Sequence, residues 1–127
     1  MRKKIVAGNW KMNKTFQEAE DLMYEISDLL TEKGSGDTEV IICPPYMYLE
    51  MASDIAAENE FMIGAQNISQ HESGAYTGEI SATMLESMGI THVILGHSER
   101  RTYFGETDTI IAAKINSALK NKMVPIY

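Results

Sequence analysis

The stretch Thr91-His92-Val93-Ile94-Leu95-Gly96-His97-Ser98-Glu99-Arg100-Arg101 carries the reading of the whole chain. Its first half is a short apolar run bounded by a glycine, the pattern of a parallel strand buried on both faces. Polar and titratable side chains follow the glycine at once, so His97, Ser98 and Glu99 sit at the strand's carboxyl end. In parallel α/β proteins that end is where ligands bind.

The same arrangement recurs on the amino-terminal side. Ile5-Val6-Ala7 ends in Gly8-Asn9, with Lys11 just beyond, and reads as strand one. Phe16, Ala19, Leu22, Met23, Ile26, Leu29 and Leu30 recur at threes and fours, and Thr15 with Glu18 forms a capping-box signature, so a helix follows. Gly34-Ser35-Gly36-Asp37 is a turn, and Glu39-Val40-Ile41-Ile42-Cys43 is a second strand stopped by Pro44-Pro45. Another helix is expected from about Tyr46 to Glu58, then a third strand over Phe61–Gln66, interrupted by Gly64. Asn67 to Thr77 is polar, glycine-containing and aperiodic, long enough to suggest a functional or interface role. Ile80, Met84, Leu85 and Met88 mark the next helical face. After strand four, Ile111, Ile115, Ala118 and Leu119 mark a helix ending near Asn121, and Met123–Tyr127 enters a fifth strand.

Four β-α units and a fifth strand imply parallel pairing with right-handed crossovers. Two architectures fit: a five-stranded doubly wound sheet, or the first half of an eight-stranded barrel. Composition bounds the function classes. The 127 residues contain 44% hydrophobic and 23% charged residues, the balance of an ordinary globular domain. A net charge of -7 has the wrong sign for broad nucleic-acid binding, and an anionic substrate would need a local cluster of positive charge. No apolar run approaches the length needed to span a bilayer, and no signal-peptide pattern opens the chain, so a cytoplasmic, non-membrane protein is expected. The single Cys43 cannot form an internal disulfide, and without a nearby base it reads as a buried residue at a strand end. No metal-ligand spacing, GxGxxG or P-loop pattern occurs, and neither a metal nor a cofactor is expected. His71 and His92, taken singly, read as ordinary residues.

Five segments together resemble the successive motifs of the triosephosphate isomerase family, in that family's order: Ala7–Asn13, Cys43-Pro44-Pro45, Gly64–Asn67, Gly74–Ser81 and Leu95–Arg101. The resemblance runs from Lys4 to the end of the chain. It implies an α/β fold, the first half of a (β/α)8 TIM barrel from β1 to the start of β5, with residues 1–127 as the amino-terminal half of one domain. It also implies interconversion of dihydroxyacetone phosphate and D-glyceraldehyde 3-phosphate through an enediolate, in glycolysis and gluconeogenesis. Proton abstraction beside a carbonyl leaves charge on oxygen, which calls for fixed donors or cations aimed at it. Lys11 and Asn9 match the family's substrate-binding positions for this, and Lys11 also counts as catalytic. His97 matches the electrophilic histidine, and the family is the standard example of a neutral imidazole in that role. Glu99 resembles the carboxylate that orients the lysine, and Ser98 the residue that touches the family's catalytic glutamate. Thr77 resembles the residue that reaches across a homodimer toward the partner's lysine and histidine.

The family's catalytic glutamate, closing loop and phosphate-binding amides lie in its second half, and no carboxylate here matches that glutamate. The 127-residue chain alone is therefore expected to be inactive. The alternative reading is a non-enzymatic anion-binding module or a self-associating half-barrel fragment.

Overall fold

The computed structural model describes residues 2–127. Strands β1 (Lys4–Asn9), β2 (Thr38–Cys43), β3 (Met62–Ala65), β4 (His92–Ile94) and β5 (Val124–Ile126) are all parallel and form one sheet in the order β1-β2-β3-β4-β5. Helices α1 (Phe16–Lys33), α2 (Leu49–Ala57), α3 (Ala82–Ser87), α4 (Ser98–Tyr103) and α5 (Asp108–Lys120) alternate with them. This order separates the two architectures. A doubly wound sheet reverses direction at a switch point, so that helices cover both faces. Here every strand pairs with the next in the chain, and right-handed crossovers taken always in one direction put the crossover helices on a single face. The sheet curls as a half-barrel with its helices outside.

Both faces of the central strands are buried, which is why their sequences run apolar without alternation. Val40 and Ile42 of β2, Ile63 and Ala65 of β3, and Val93 and Leu95 at β4 pack against the helices, with Met23, Leu49, Ala52, Ile55 and Leu85 opposite. Ile41, Cys43, Met62, Ile94 and Ile126 form a second cluster on the concave face. Gly64 belongs to that inner face: a Cβ there would stand 2.8 Å from Cys43 Sγ and 3.3 Å from His92 Cβ. The edge strand β1 is largely uncovered, with Ile5 and Val6 at least half exposed.

The local signals hold with small differences. The α1 amino terminus is capped as expected, the Thr15 N–H donating to the Glu18 carboxylate at 2.8 Å, and the helix ends where Gly34, at φ 69°, donates its N–H to Leu30 O. The expected helix from Tyr46 opens as a single 3-10 turn, Tyr46–Tyr48, before α2 begins. The buried side of α3 is Ala82 and Leu85, whereas Met84 and Met88 face outward and Ile80 precedes the helix. On α1, Phe16 and Leu29 are half exposed; Phe16 meets Tyr48 edge-on with ring centroids 6.2 Å apart.

Candidate active site

Asn9 ends β1 beside Cys43 of β2, and its Oδ1 accepts the Lys11 N–H at 2.9 Å. That short side-chain turn accompanies a left-handed backbone at Lys11, φ 56°. A non-glycine residue in this region typically carries about 1–3 kcal/mol of strain, held only where the surroundings over-determine it. Gln66, just past β3, supplies such a restraint. Its side-chain amide donates to Lys11 O and to Cys43 O, each at 2.9 Å, and so ties the carboxyl ends of three strands together. Lys11 Nζ then reaches Glu99 Oε1 at 2.6 Å, across 88 residues of sequence.

His97 occupies the amino-terminal cap of α4. The preceding Gly96 stands at φ 75°, and its carbonyl accepts from Arg101 Nε at 3.2 Å. His97 O accepts from the N–H groups of Arg100 and Arg101, at 3.0 and 3.2 Å, so the turn is fastened on both sides of the imidazole. His97 Nδ1 accepts the Glu99 N–H at 3.1 Å. With Nδ1 used as an acceptor, the proton of the neutral ring resides on Nε2, which becomes the donor available to a ligand. The Lys11 ammonium, by donating to Glu99, holds the Glu99 carboxyl below its ordinary range against the opposing effect of burial, with a smaller push from its charge. Glu99 is therefore the anion that fixes Lys11.

These groups share an open cleft of about 310 Å³ lined by Asn9, Lys11, Met12, Pro45, Tyr46, Gln66, Asn67, Ile94, His97, Glu99, Arg100 and Phe104. Of the residues singled out in the sequence, Asn9, Lys11, His97 and Glu99 converge there. Ser98 lies exposed on the first turn of α4, and Thr77 lies exposed in the loop between β3 and α3; neither lines the cleft. Cys43 is buried behind it, and burial pushes its thiol up to about 11, as befits an inert core residue. Among the described residues no cluster of histidine, cysteine or carboxylate side chains could hold a metal.

Beneath the cleft lies a network whose buried centre, Glu106 with Lys114, sequence reasoning did not find. Glu106, which precedes α5, is buried, as is Lys114 on α5. Lys114 Nζ donates to Glu106 Oε2 and to Asn67 Oδ1, each at 2.9 Å. Arg100 donates to the same Glu106 oxygen from α4, and Tyr46 OH donates to Asn67 O. Burial alone would raise the Glu106 carboxyl, but the hydrogen bonds and charges of Lys114 and Arg100 outweigh it and hold it below its ordinary range. The network joins the wall of the cleft at Asn67 to the helix that carries Glu99. One sequence signal could have revealed it: Lys114 lies in the apolar stripe of α5 between Ile111 and Ala118, where a buried ammonium requires a partner.

A family model described as triosephosphate isomerase matches residues 4–127. The chain is 47% identical over 127 residues to the triosephosphate isomerase of Cytophaga hutchinsonii, and 50% identical to that of Flavobacterium psychrophilum; each match covers all of this chain and 50% of the relative. The crystal structure of triosephosphate isomerase from Bartonella henselae superposes with a TM-score of 0.88 at 39% identity, covering 98% of this chain and 50% of that one. The chain thus spans about half the length of the relatives it matches.

Proposed function

The chain belongs to the triosephosphate isomerase family, and from that premise we propose that its cleft is the lysine-histidine half of an active site interconverting dihydroxyacetone phosphate and D-glyceraldehyde 3-phosphate. The observation that carries this is the convergence of Lys11, His97 and Glu99, from two distant segments, at the carboxyl ends of the strands. In this reading residues 1–127 are the first half of one barrel domain. The bare β1 edge, with Ile5 and Val6 half exposed, supports it, since such surfaces are normally covered.

Removing a proton next to the carbonyl develops negative charge on oxygen, and catalysis consists in meeting that charge with groups already in place. Lys11, held by Glu99 and a restrained backbone, offsets charge on the phosphate and on the enediolate, while the Asn9 amide supplies a further donor. His97, with Nδ1 engaged, presents Nε2–H to the carbonyl oxygen and exchanges protons between the two oxygens of the enediolate. The carboxylate base comes from the second half of the barrel, so the 127-residue chain by itself gives no turnover. Ser98, exposed on the same turn, meets that base in the enzyme's open state. The loop from Asn67 to Thr77 is the main contact of a homodimer, with Thr77 set beside the partner's lysine and histidine. The whole enzyme works in the cytoplasm, in glycolysis and gluconeogenesis.

The test compares isomerase turnover of the 127-residue chain with that of a whole barrel, made by continuing these residues into the second half of the Flavobacterium psychrophilum relative. The chain should be silent and the barrel active. In the barrel, Lys11→Met or His97→Gln should lower kcat by roughly a hundredfold or more, the loss typical of removing one oxyanion donor. Turnover by the rigorously purified chain, or near-parent kcat in both variants, overturns the reading.

A further inference from the structure

We propose that His71 is a positioning residue for docking a second copy of this chain: its imidazole, laid flat on the Tyr76 ring, shapes the tip that carries Thr77 before any partner arrives. The proposal rests on the homodimer reading above. Ring centroids lie 3.8 Å apart and the planes differ by 3°. The tip is surface, with Glu72 through Glu79 all exposed, yet it is held from several sides. Ser69 N–H donates to Ile80 O at 2.8 Å and closes the base of the loop. His71 N–H donates to the buried Ser69 Oγ at 3.1 Å, which anchors the histidine to that base. Tyr76 N–H to Gly74 O and Glu79 N–H to Tyr76 O, each 3.0 Å, form two tight turns around the tyrosine. Lys120 of α5 donates to Glu72 and straps the outer limb to the helix layer.

Gly74 makes the stack possible. Its φ of 125° is open to glycine and rarely to other residues, and a Cβ there would stand 3.2 Å from Tyr76 Cε2. The turn therefore folds the tyrosine back over His71, and because Thr77 is the next residue, fixing Tyr76 fixes the direction in which Thr77 projects. A loop ordered in advance loses less freedom on association, and that raises affinity without any new contact across the interface. His71 itself need not touch the partner.

The experiment uses the whole barrel described above and measures dimer dissociation by sedimentation, with urea unfolding of each variant alongside. A two-fold dimer contains two loops, so losing a stack worth several-fold in each multiplies to about tenfold or more in Kd. His71→Ala should show that weakening with only a slight fall in the urea midpoint when both proteins are dilute enough to be monomeric, since a stack made within one protomer also contributes to that protomer's own stability. His71→Phe, which keeps a ring on Tyr76, should stay within about threefold of the parent. Gly74→Ala should weaken the dimer although His71 is intact. If the parent is a monomer at every concentration, this inference and the homodimer reading fall together. If the parent dimerises and His71→Ala matches it, the inference alone falls. Equal weakening in His71→Ala and His71→Phe overturns the stack as the cause, and loss of the cooperative urea transition in dilute His71→Ala reassigns the residue to the protomer's global stability and overturns its positioning role.

Discussion

Lys114→Met tests the buried network under the cleft. The Lys114 side chain is 6% exposed and that of Glu106 4%, with Nζ 2.9 Å from Oε2. Methionine keeps most of the stem and removes the ammonium. Glu106 then stays buried with Arg100 as its remaining cation, Asn67 Oδ1 loses its donor, and Glu106 Oε1 has no protein partner to begin with. Breaking one side of a buried pair costs about 3–5 kcal/mol, because the stranded charge has neither water nor a counterion. Arg100 retains part of the compensation, which points to the lower end, about 3 kcal/mol. That is large even against the whole stability of a complete native protein, about 5–15 kcal/mol. Urea unfolding at neutral pH should show it as a lowered midpoint at constant slope. Acidification supplies an independent check. In the parent, the folded Glu106 carboxyl lies below its ordinary range, so its contribution is present above the unfolded carboxylate pKa and is lost as pH falls through the folded value. Without Lys114, burial is opposed by Arg100 alone and the carboxyl moves upward. Protonation then relieves the stranded charge, and the gap between variant and parent narrows as pH falls from 7 toward about 5. A loss under about 1 kcal/mol at neutral pH, or a gap that widens on acidification, refutes the reasoning.

Two further outcomes concern the concave face. His92 is buried there; burial lowers its pKa below the usual 6.5, Glu39 opposes that and Lys3 adds to it. Above 6.5 neither state is protonated, so the chain should lose stability as pH falls below that value and only the unfolded state takes up the proton. His92→Gln should flatten that acid limb in urea titrations; an unchanged limb assigns it to other groups. Gly64→Ala puts a methyl 2.8 Å from Cys43 Sγ and 3.3 Å from Ile41 Cγ2, and should cost about 1–3 kcal/mol by overpacking, part of it recovered by Cys43→Ala. A neutral Gly64→Ala in thermal unfolding would place residue 64 elsewhere.

Local features of the chain were legible in the sequence because they depend on neighbours in sequence. The apolar runs of β1, β2 and β4, the Thr15–Glu18 cap and the polar residues that follow each strand need only the periodicity and chemistry of a few adjacent positions. Asn9, Lys11, His97 and Glu99 stand among the polar residues that follow the strands, the family resemblance singled them out from these, and they do meet in one cleft. Strand order could not be read this way. A strand buried on both faces carries no alternation to say which neighbour it takes, so a doubly wound sheet and a half-barrel share one pattern. The sequential order β1-β2-β3-β4-β5, with α1, α2, α3 and α5 packed on one side, emerges only when the crossovers pack. The same holds for interactions made across the fold: Gln66 joining three strand ends, the left-handed backbone of Lys11 beside Glu99, and the burial of Lys114 with Glu106, Arg100 and Asn67. Each exists because distant segments are brought within about 3 Å, a proximity that residue types and spacing do not encode and that tertiary packing alone decides.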